Sequence, residues 1–440
     1  MAILLRGGTL LPMGEGARPM GGDLLISGAR ITHVGPGAQP PPDTEVVDCA
    51  GCFVMPGLVQ THVHLVQTIF RGLAEDLTLL DWLRRFIWPL EAAHDEASVR
   101  ACVRLGLLEL VTTGTTTILD MGTTRWGDVV AEELVRSGIR ARFGQAMMDT
   151  GEGVPPSLLE NTRASLDASA ALVKRWSKAG AGRIGYAYAP RFALSCTREL
   201  LEAIAMLAKM SEFLIHTHSN ENTEERAAVQ AVTGMAPLAY LAQLGLLTDR
   251  AIIAHGVHVD DAELALLVQS KSAVTHCPSS NLKLGSGVAD VVRLRQARVT
   301  VGIGADGAAC NNRLDGFEEV RMTTLLARTL RGQRSLTASD ALGMATREGA
   351  RALHLEDETG TLSVGKRADV VVIDSEKLGG PGGDAATRIV FGGGSRGVRD
   401  VLVDGTFIVR DGAPLLFDPA EVRARAAEAL PDLLRRAQLT

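Results

Sequence analysis

The sequence contains no uninterrupted apolar run of about 18 residues, the length that a bilayer-spanning helix needs. Its start, MAILLRGGTLLPMGEG, lacks a basic stretch leading into a sustained apolar segment and a cleavage site. These absences point to a soluble, unexported, cytoplasmic protein. A long Lys/Arg block is missing too. With 45 Lys+Arg against 51 Asp+Glu, a formal net charge of −6, the chain has no evident basic face for nucleic acid or an anionic membrane. A polyanionic substrate is not expected. Cysteine is scarce and scattered: Cys49, Cys52, Cys102, Cys196, Cys277 and Cys310 do not form the spacing of a secreted disulfide framework. The Cys49-x-x-Cys52 pair has no second pair and no neighbouring histidine to complete a zinc or redox motif, so it reads as two strand cysteines. Finally, no G-x-G-x-x-G follows an early strand and no P-loop occurs, which disfavours an open doubly wound sheet.

At about 150 residues per domain, 440 residues suggest about three domains, although one barrel core can absorb 250 or more. The two chain ends share short β-rich runs broken by glycine, such as AILLRGGTLL and DLLISGARITHVG, then ADVVVID and VRDVLVDGTFIVRDG. Neither end alone is large enough for a core of its own. Residues 1–56 and 365–440 are therefore expected to pair into one small β-sandwich domain, with a C-terminal amphipathic helix, around a central module of residues 57–364. That middle alternates helix-period segments with eight β-like runs: FVMPGLVQTHVH, TTTILDMG, IRARFGQAMMD, RIGYAYAPRF, EFLIHTHSN, AIIAHGVHV, SAVTHCPSS and VTVGIGADG. Eight strands alternating with helices predict an α/β fold, a (β/α)8 TIM-type barrel whose active site lies at the C-terminal strand ends.

Chemistry-bearing residues cluster at those ends. Side chains at i and i+2 of a strand share a face, so His62 and His64 can reach one metal ion together. His218 ends the fifth run, His255 the sixth, His276 the seventh and Asp306 the eighth. In a barrel these ends converge. His62, His64, His218 and Asp306 make a shell of three imidazoles and one carboxylate, suited to one divalent ion, Zn2+ foremost and Fe2+ next, with a position left for water. Such an ion lowers the pKa of a water from 15.7 to about 7 and so furnishes a nucleophile. Glu221, three residues beyond His218, is placed to shuttle a proton between that water and a substrate nitrogen. His255 is either a fourth imidazole ligand or a hydrogen-bond partner of the attacking water, and the second role is preferred. Asp306 can both touch the metal and accept the water's proton. His216, His258 and His276 read equally as supporting or core histidines. A second metal would need a bridging lysine at the end of the fourth run, and Arg183 to Arg191 contains none.

The motifs PGLVQTHVH (56–64), RGLAED (71–76), HTHSNE (216–221), HCPSSNLKL (276–284) and GADG (304–307) resemble the amidohydrolase superfamily over nearly the whole chain, in the aminohydrolase branch of adenosine-type, guanine and s-triazine deaminases. The RGLAED loop, WPLE (88–91) and DGAACNN (306–312) bring the resemblance nearest to the methylthioadenosine/S-adenosylhomocysteine and 5′-deoxyadenosine deaminases. That resemblance implies hydrolytic deamination of a small-molecule purine nucleoside by a homodimer or homotetramer, with Glu91 holding the ribose hydroxyls. Trp88, Trp82 and Phe86 would offer apolar walls. One departure concerns the base. Where adenosine-type relatives carry histidine after proline in the fourth loop, this chain has Arg191-Phe192, as guanine deaminases do, and Arg191 offers donors to a ring nitrogen or carbonyl. The resemblance therefore leaves guanine and s-triazines as alternative substrates, and a non-catalytic scaffold barrel as a remote one.

Overall fold

The computed structural model describes residues 2–439. Its central chain forms eight parallel strands: β1 Leu58–His64, β2 Thr115–Met121, β3 Arg140–Gly144, β4 Ile184–Pro190, β5 Leu214–Ser219, β6 Ala251–His255, β7 Ala273–His276 and β8 Val301–Ile303. Each pairs with its sequence neighbour, and β8 returns to β1 with Ile303 opposite Gln60, so the sheet closes as a TIM-type barrel. Every residue of β1, β2 and β4 is buried, because helices cover the outer face of a closed sheet whose inner face is already filled.

The first apolar run, expected as one strand from Phe53 to His64, divides at Gly57. Cys52–Pro56 pairs antiparallel with Val370–Asp374 in a second sheet, whereas Leu58 opens the barrel. A Cβ on Gly57 would stand 2.1 Å from Thr116 Cγ2, so only glycine lets the chain cross here. The second sheet has nine strands and draws on both chain ends: Ala2–Leu10 runs parallel to Cys52–Pro56, which in turn borders Val370–Asp374. Alternate side chains face two ways. Cys52, Val54, Val370 and Val372 join Leu5, Ile26 and Leu402 in one apolar cluster, while Phe53, Met55, Val371 and Ile373 pack into the main core with the barrel. Buried Arg140 of β3 ties the two together, donating to Asp369 at 2.7 and 3.0 Å and to Asp404 at 2.6 Å.

Asp95 caps the helix Glu96–Thr112 as its position predicts. Its Oδ1 accepts from Ser98 N at 2.9 Å, and Ser98 Oγ accepts from Asp95 N at 3.0 Å. The C-terminal helix Pro419–Arg436 packs on that helix and buries Ala426 and Leu433 in the cluster that also contains Trp82, Trp88 and Phe192. No helix among the described residues is long and apolar enough to cross a membrane. All six cysteines are free and buried.

Candidate metal centre and substrate cavity

The alternation of β1 brings His62 and His64 to the barrel's inner face, where β5 adds His218 and the segment after β8 adds Asp306. One ligand atom from each of these four residues lies within 4.8 Å of all the others. His62 Nε2 stands 3.2 Å and His64 Nε2 3.5 Å from Asp306 Oδ1. His64 Nδ1 donates to the Met121 carbonyl at 2.7 Å and His218 Nδ1 to that of Arg191 at 2.6 Å. Each ring therefore turns an unprotonated Nε2 inward, and these two lone pairs face one another at 3.1 Å. Two acceptors that close need a cation between them. The buried His62 Nε2 likewise has no hydrogen-bond donor. The four side chains thus fit a divalent ion.

Burial disfavours the charged form of two of these imidazoles: His64 is lowered to about 3, and His218 is lowered well below its ordinary value. Burial by itself would raise Asp306, but the neighbouring imidazoles of His62, His255 and His64 hold its carboxyl well below the usual range. Glu221 moves the other way. Burial, then the negative charges of Asp306 and Glu225, hold its carboxyl well above the ordinary value, which favours its protonated form. Two carboxyl groups in one site, pushed in opposite directions by their surroundings, suit a base and an acid.

His255 bridges them. Its Nε2 lies 3.3 Å from Glu221 Oε2 and 4.0 Å from Asp306 Oδ2, and burial lowers it to about 4. Neither His255 nor Asp306 has relaxed backbone: their φ angles are +75° and +61°, a left-handed region unfavourable for side chains with a Cβ. Asn281 Oδ1 lies 3.3 Å from His255 Nδ1, and Ser280 Oγ donates to Asp306 Oδ2 at 2.7 Å. Both belong to the HCPSSNLKL motif, whose spacing does not reveal which side chains they support. His216 Nε2 lies 2.7 Å from His62 Nδ1, behind the cluster. His258 turns away to the Ser286 carbonyl, and His276 is buried with neither ring nitrogen hydrogen-bonded.

Beside the cluster a cavity of about 450 Å³ is lined by Trp82, Leu83, Arg191, Phe192, Glu221 and His255, among others. The structure rearranges the expected substrate wall. Glu91 does not line the cavity. It lies behind Arg191, whose guanidinium donates to both of its oxygens at 2.6 and 3.0 Å, and Gln67 Nε2 adds a third bond at 2.8 Å. Nor does Trp88 reach the cavity. It is buried among apolar side chains, because the helical turn that aims Trp82 at the opening points Trp88, six residues on, into the packing beneath. Gln67 carried no signal in the sequence beyond its place three residues after His64.

A closed barrel with three imidazoles and a carboxylate gathered at its mouth, and a second carboxyl beside them, has the architecture of the metal-dependent barrel hydrolases. A model of the amidohydrolase family matches residues 53–408, and the chain belongs to that family. It is a hydrolase of the aminohydrolase type, acting on C–N bonds in cyclic amidines. It is 36% identical over 420 residues to a 5-methylthioadenosine/S-adenosylhomocysteine deaminase of Halobacterium salinarum, covering 94% of this chain and 95% of that one. A 5′-deoxyadenosine deaminase of Methanothermobacter thermautotrophicus is 35% identical over 434 residues, covering 98% and 99%. Among solved structures, an adenosine deaminase from Xanthomonas campestris with bound zinc superposes with a TM-score of 0.92 at 31% identity over 98% of both chains. An atrazine chlorohydrolase from Arthrobacter aurescens complexed with zinc superposes with 0.91 at 26% identity, covering 98% and 100%.

Proposed function

We propose that the protein hydrolytically deaminates an adenine nucleoside modified at its 5′ position, such as 5′-deoxyadenosine, methylthioadenosine or S-adenosylhomocysteine, releasing ammonia and the inosine analogue. The observation that carries this reading is geometric: beside the four candidate ligands, His255 Nε2 lies 3.3 Å from Glu221 Oε2 and 4.0 Å from Asp306 Oδ2, so two carboxyl groups and an imidazole meet at one mouth of the barrel. His62, His64, His218 and Asp306 hold one divalent ion, zinc by donor set and Fe2+ as the alternative. Bound there, the ion supplies a water acidic enough to attack at neutral pH. His255 and Asp306 orient that water and accept its proton. Glu221 would give its proton to the ring nitrogen beside the amino-bearing carbon; as that tetrahedral carbon collapses, the amino group takes the proton held by His255 and Asp306 and leaves as ammonia, and the new hydroxyl returns a proton to Glu221 to leave the ring carbonyl.

Arg191 favours a second reading. With Glu91 engaged by three hydrogen bonds, the group facing the cavity is a donor-only guanidinium, which suits a ring carbonyl or ring nitrogen, as in guanine or an s-triazine. Ultraviolet assays of the zinc- or iron-loaded enzyme on 5′-deoxyadenosine, methylthioadenosine, S-adenosylhomocysteine, adenosine, guanine and a chlorotriazine decide between them. Turnover of guanine or the triazine without turnover of any nucleoside overturns the first reading. The proposal also treats residues 1–56 and 365–440 as one small domain flanking a 57–364 barrel, and the enzyme as a cytoplasmic homodimer or homotetramer. Light scattering of the purified protein tests the oligomer.

A further inference from the structure

The opposite end of the barrel carries a second concavity, far from the histidines. An open groove of about 1100 Å³ lies where β4 and β5 begin and β6 is about to begin, lined by Arg142, Lys178, Arg250, His354 and Glu212. Arg142 is the unusual member. It sits in β3 opposite Gly185 of β4, and a Cβ on that glycine would lie 2.4 Å from Arg142 Nη1 and 2.8 Å from Cζ. The guanidinium therefore lies across a bare stretch of backbone that only glycine leaves open.

Two residues earlier, Arg140 has two carboxylate partners, Asp369 and Asp404. Among the described residues Arg142 has neither a hydrogen bond nor an ion pair within 4.0 Å, although it is half-buried. Glu212 lines the same groove beyond that distance. Burial and the neighbouring Arg140 charge pull Arg142 down to about 10, and Glu212, the one carboxylate facing it, offsets only part of that. Arg250 spends one N–H on the Glu212 carbonyl at 2.7 Å, and no carboxylate lies within ion-pair distance of either Arg250 or Lys178. His354 Nε2 is turned to the Asp249 carbonyl. Three cations thus line the groove against a single carboxylate. The Arg142 guanidinium opens onto the groove with its donors free of protein partners, so the groove offers convergent positive charge to an anion.

We propose that this groove is a phosphate site, taking either free phosphate or the phosphate group of a nucleotide. Arg142, held flat over Gly185, presents a planar fork that matches two phosphate oxygens, and Lys178 and Arg250 add charge at the rim. The site lies at the end of the barrel opposite the chemistry, so its occupant stabilises the base of the barrel without competing with substrate.

The test is isothermal titration of the metal-loaded enzyme with inorganic phosphate and, separately, with a nucleoside monophosphate, in chloride buffer of matched ionic strength, alongside thermal melting. Binding with a Kd of about 1 mM or tighter and a melting rise of about 2 °C at saturation are expected. The exposed-side variant Lys178→Glu/Arg250→Met, which leaves the barrel interior untouched, should weaken binding at least about tenfold with KM unchanged. Arg142→Met should abolish it. The arm that binds more tightly identifies the source of the phosphate. No heat with either anion, or an equal melting rise in the double variant, as general salting-out by phosphate would give, overturns the proposal.

Discussion

Glu221→Gln isolates the proton the proposed reaction depends on. The substitution keeps the size of the side chain and its capacity to hydrogen-bond His255, 3.3 Å away, but removes the acidic hydrogen that burial, Asp306 and Glu225 keep in place. Proton transfer by a positioned side chain contributes about 10²–10⁴ in rate, or about 3–5 kcal/mol of barrier. The ligands His62, His64, His218 and Asp306 are unaltered, so metal content should stay near one equivalent per chain. The expected result is a kcat at least about a hundredfold lower with KM changed by less than about threefold, followed by the absorbance change on deamination, with bound metal measured by elemental analysis. For the wild-type enzyme, kcat should fall on the alkaline side as Glu221 loses its proton, and that limb should vanish in the variant. A variant with full metal content that turns over within about tenfold of wild type refutes the acid role assigned here.

Other expectations concern the metal, the join between the sheets and pH. His218→Ala should lower bound metal from one equivalent to none at micromolar supply and abolish turnover, because the remaining two imidazoles and one carboxylate leave the ion under-coordinated; elemental analysis after dialysis against a chelator checks this. Asp369→Ala removes two of the three hydrogen bonds of the buried Arg140 guanidinium and leaves it Asp404 alone, so denaturant unfolding should show a loss of about 2–3 kcal/mol. Glu319, fully buried and accepting from Ser279 and Asn311, is raised by burial to about 7 from an ordinary 4.5. Below about pH 4.5 both folded and unfolded states carry its proton. Between there and about pH 7 only the unfolded state ionises, so stability drains away as pH rises. Relative to Glu319→Gln, wild-type stability should therefore decline by about 3 kcal/mol from pH 4.5 to 7 and level off above, read by urea melts at each pH. A difference independent of pH counts against the buried proton.

Much of the architecture and of the metal cluster is legible in one dimension, because the relevant rules are local. A strand's two-residue alternation places His62 beside His64, and eight apolar runs separated by helical periods imply a barrel whose strand ends carry His218, His255 and Asp306 to one mouth. Asp95 announces its helix through a cap that spans three residues. What local pattern did not carry is which side chains oppose one another across strands and loops. Glu91 and Arg191 stand 100 positions apart, and only the register of closure shows that they bind each other, with Arg191 on the cavity side. Trp82 and Trp88 look equivalent as sequence and share one apolar cluster, yet the direction in which their helical turns dock lets only Trp82 also line the cavity. The division at Gly57 and the unpartnered guanidinium over Gly185 depend on a neighbouring strand's atoms, Thr116 in one case and Arg142 in the other. Sequence fixes periodicity and chemical type at each position, while contact between distant positions is a property of the closed sheet and exists only once that sheet has formed.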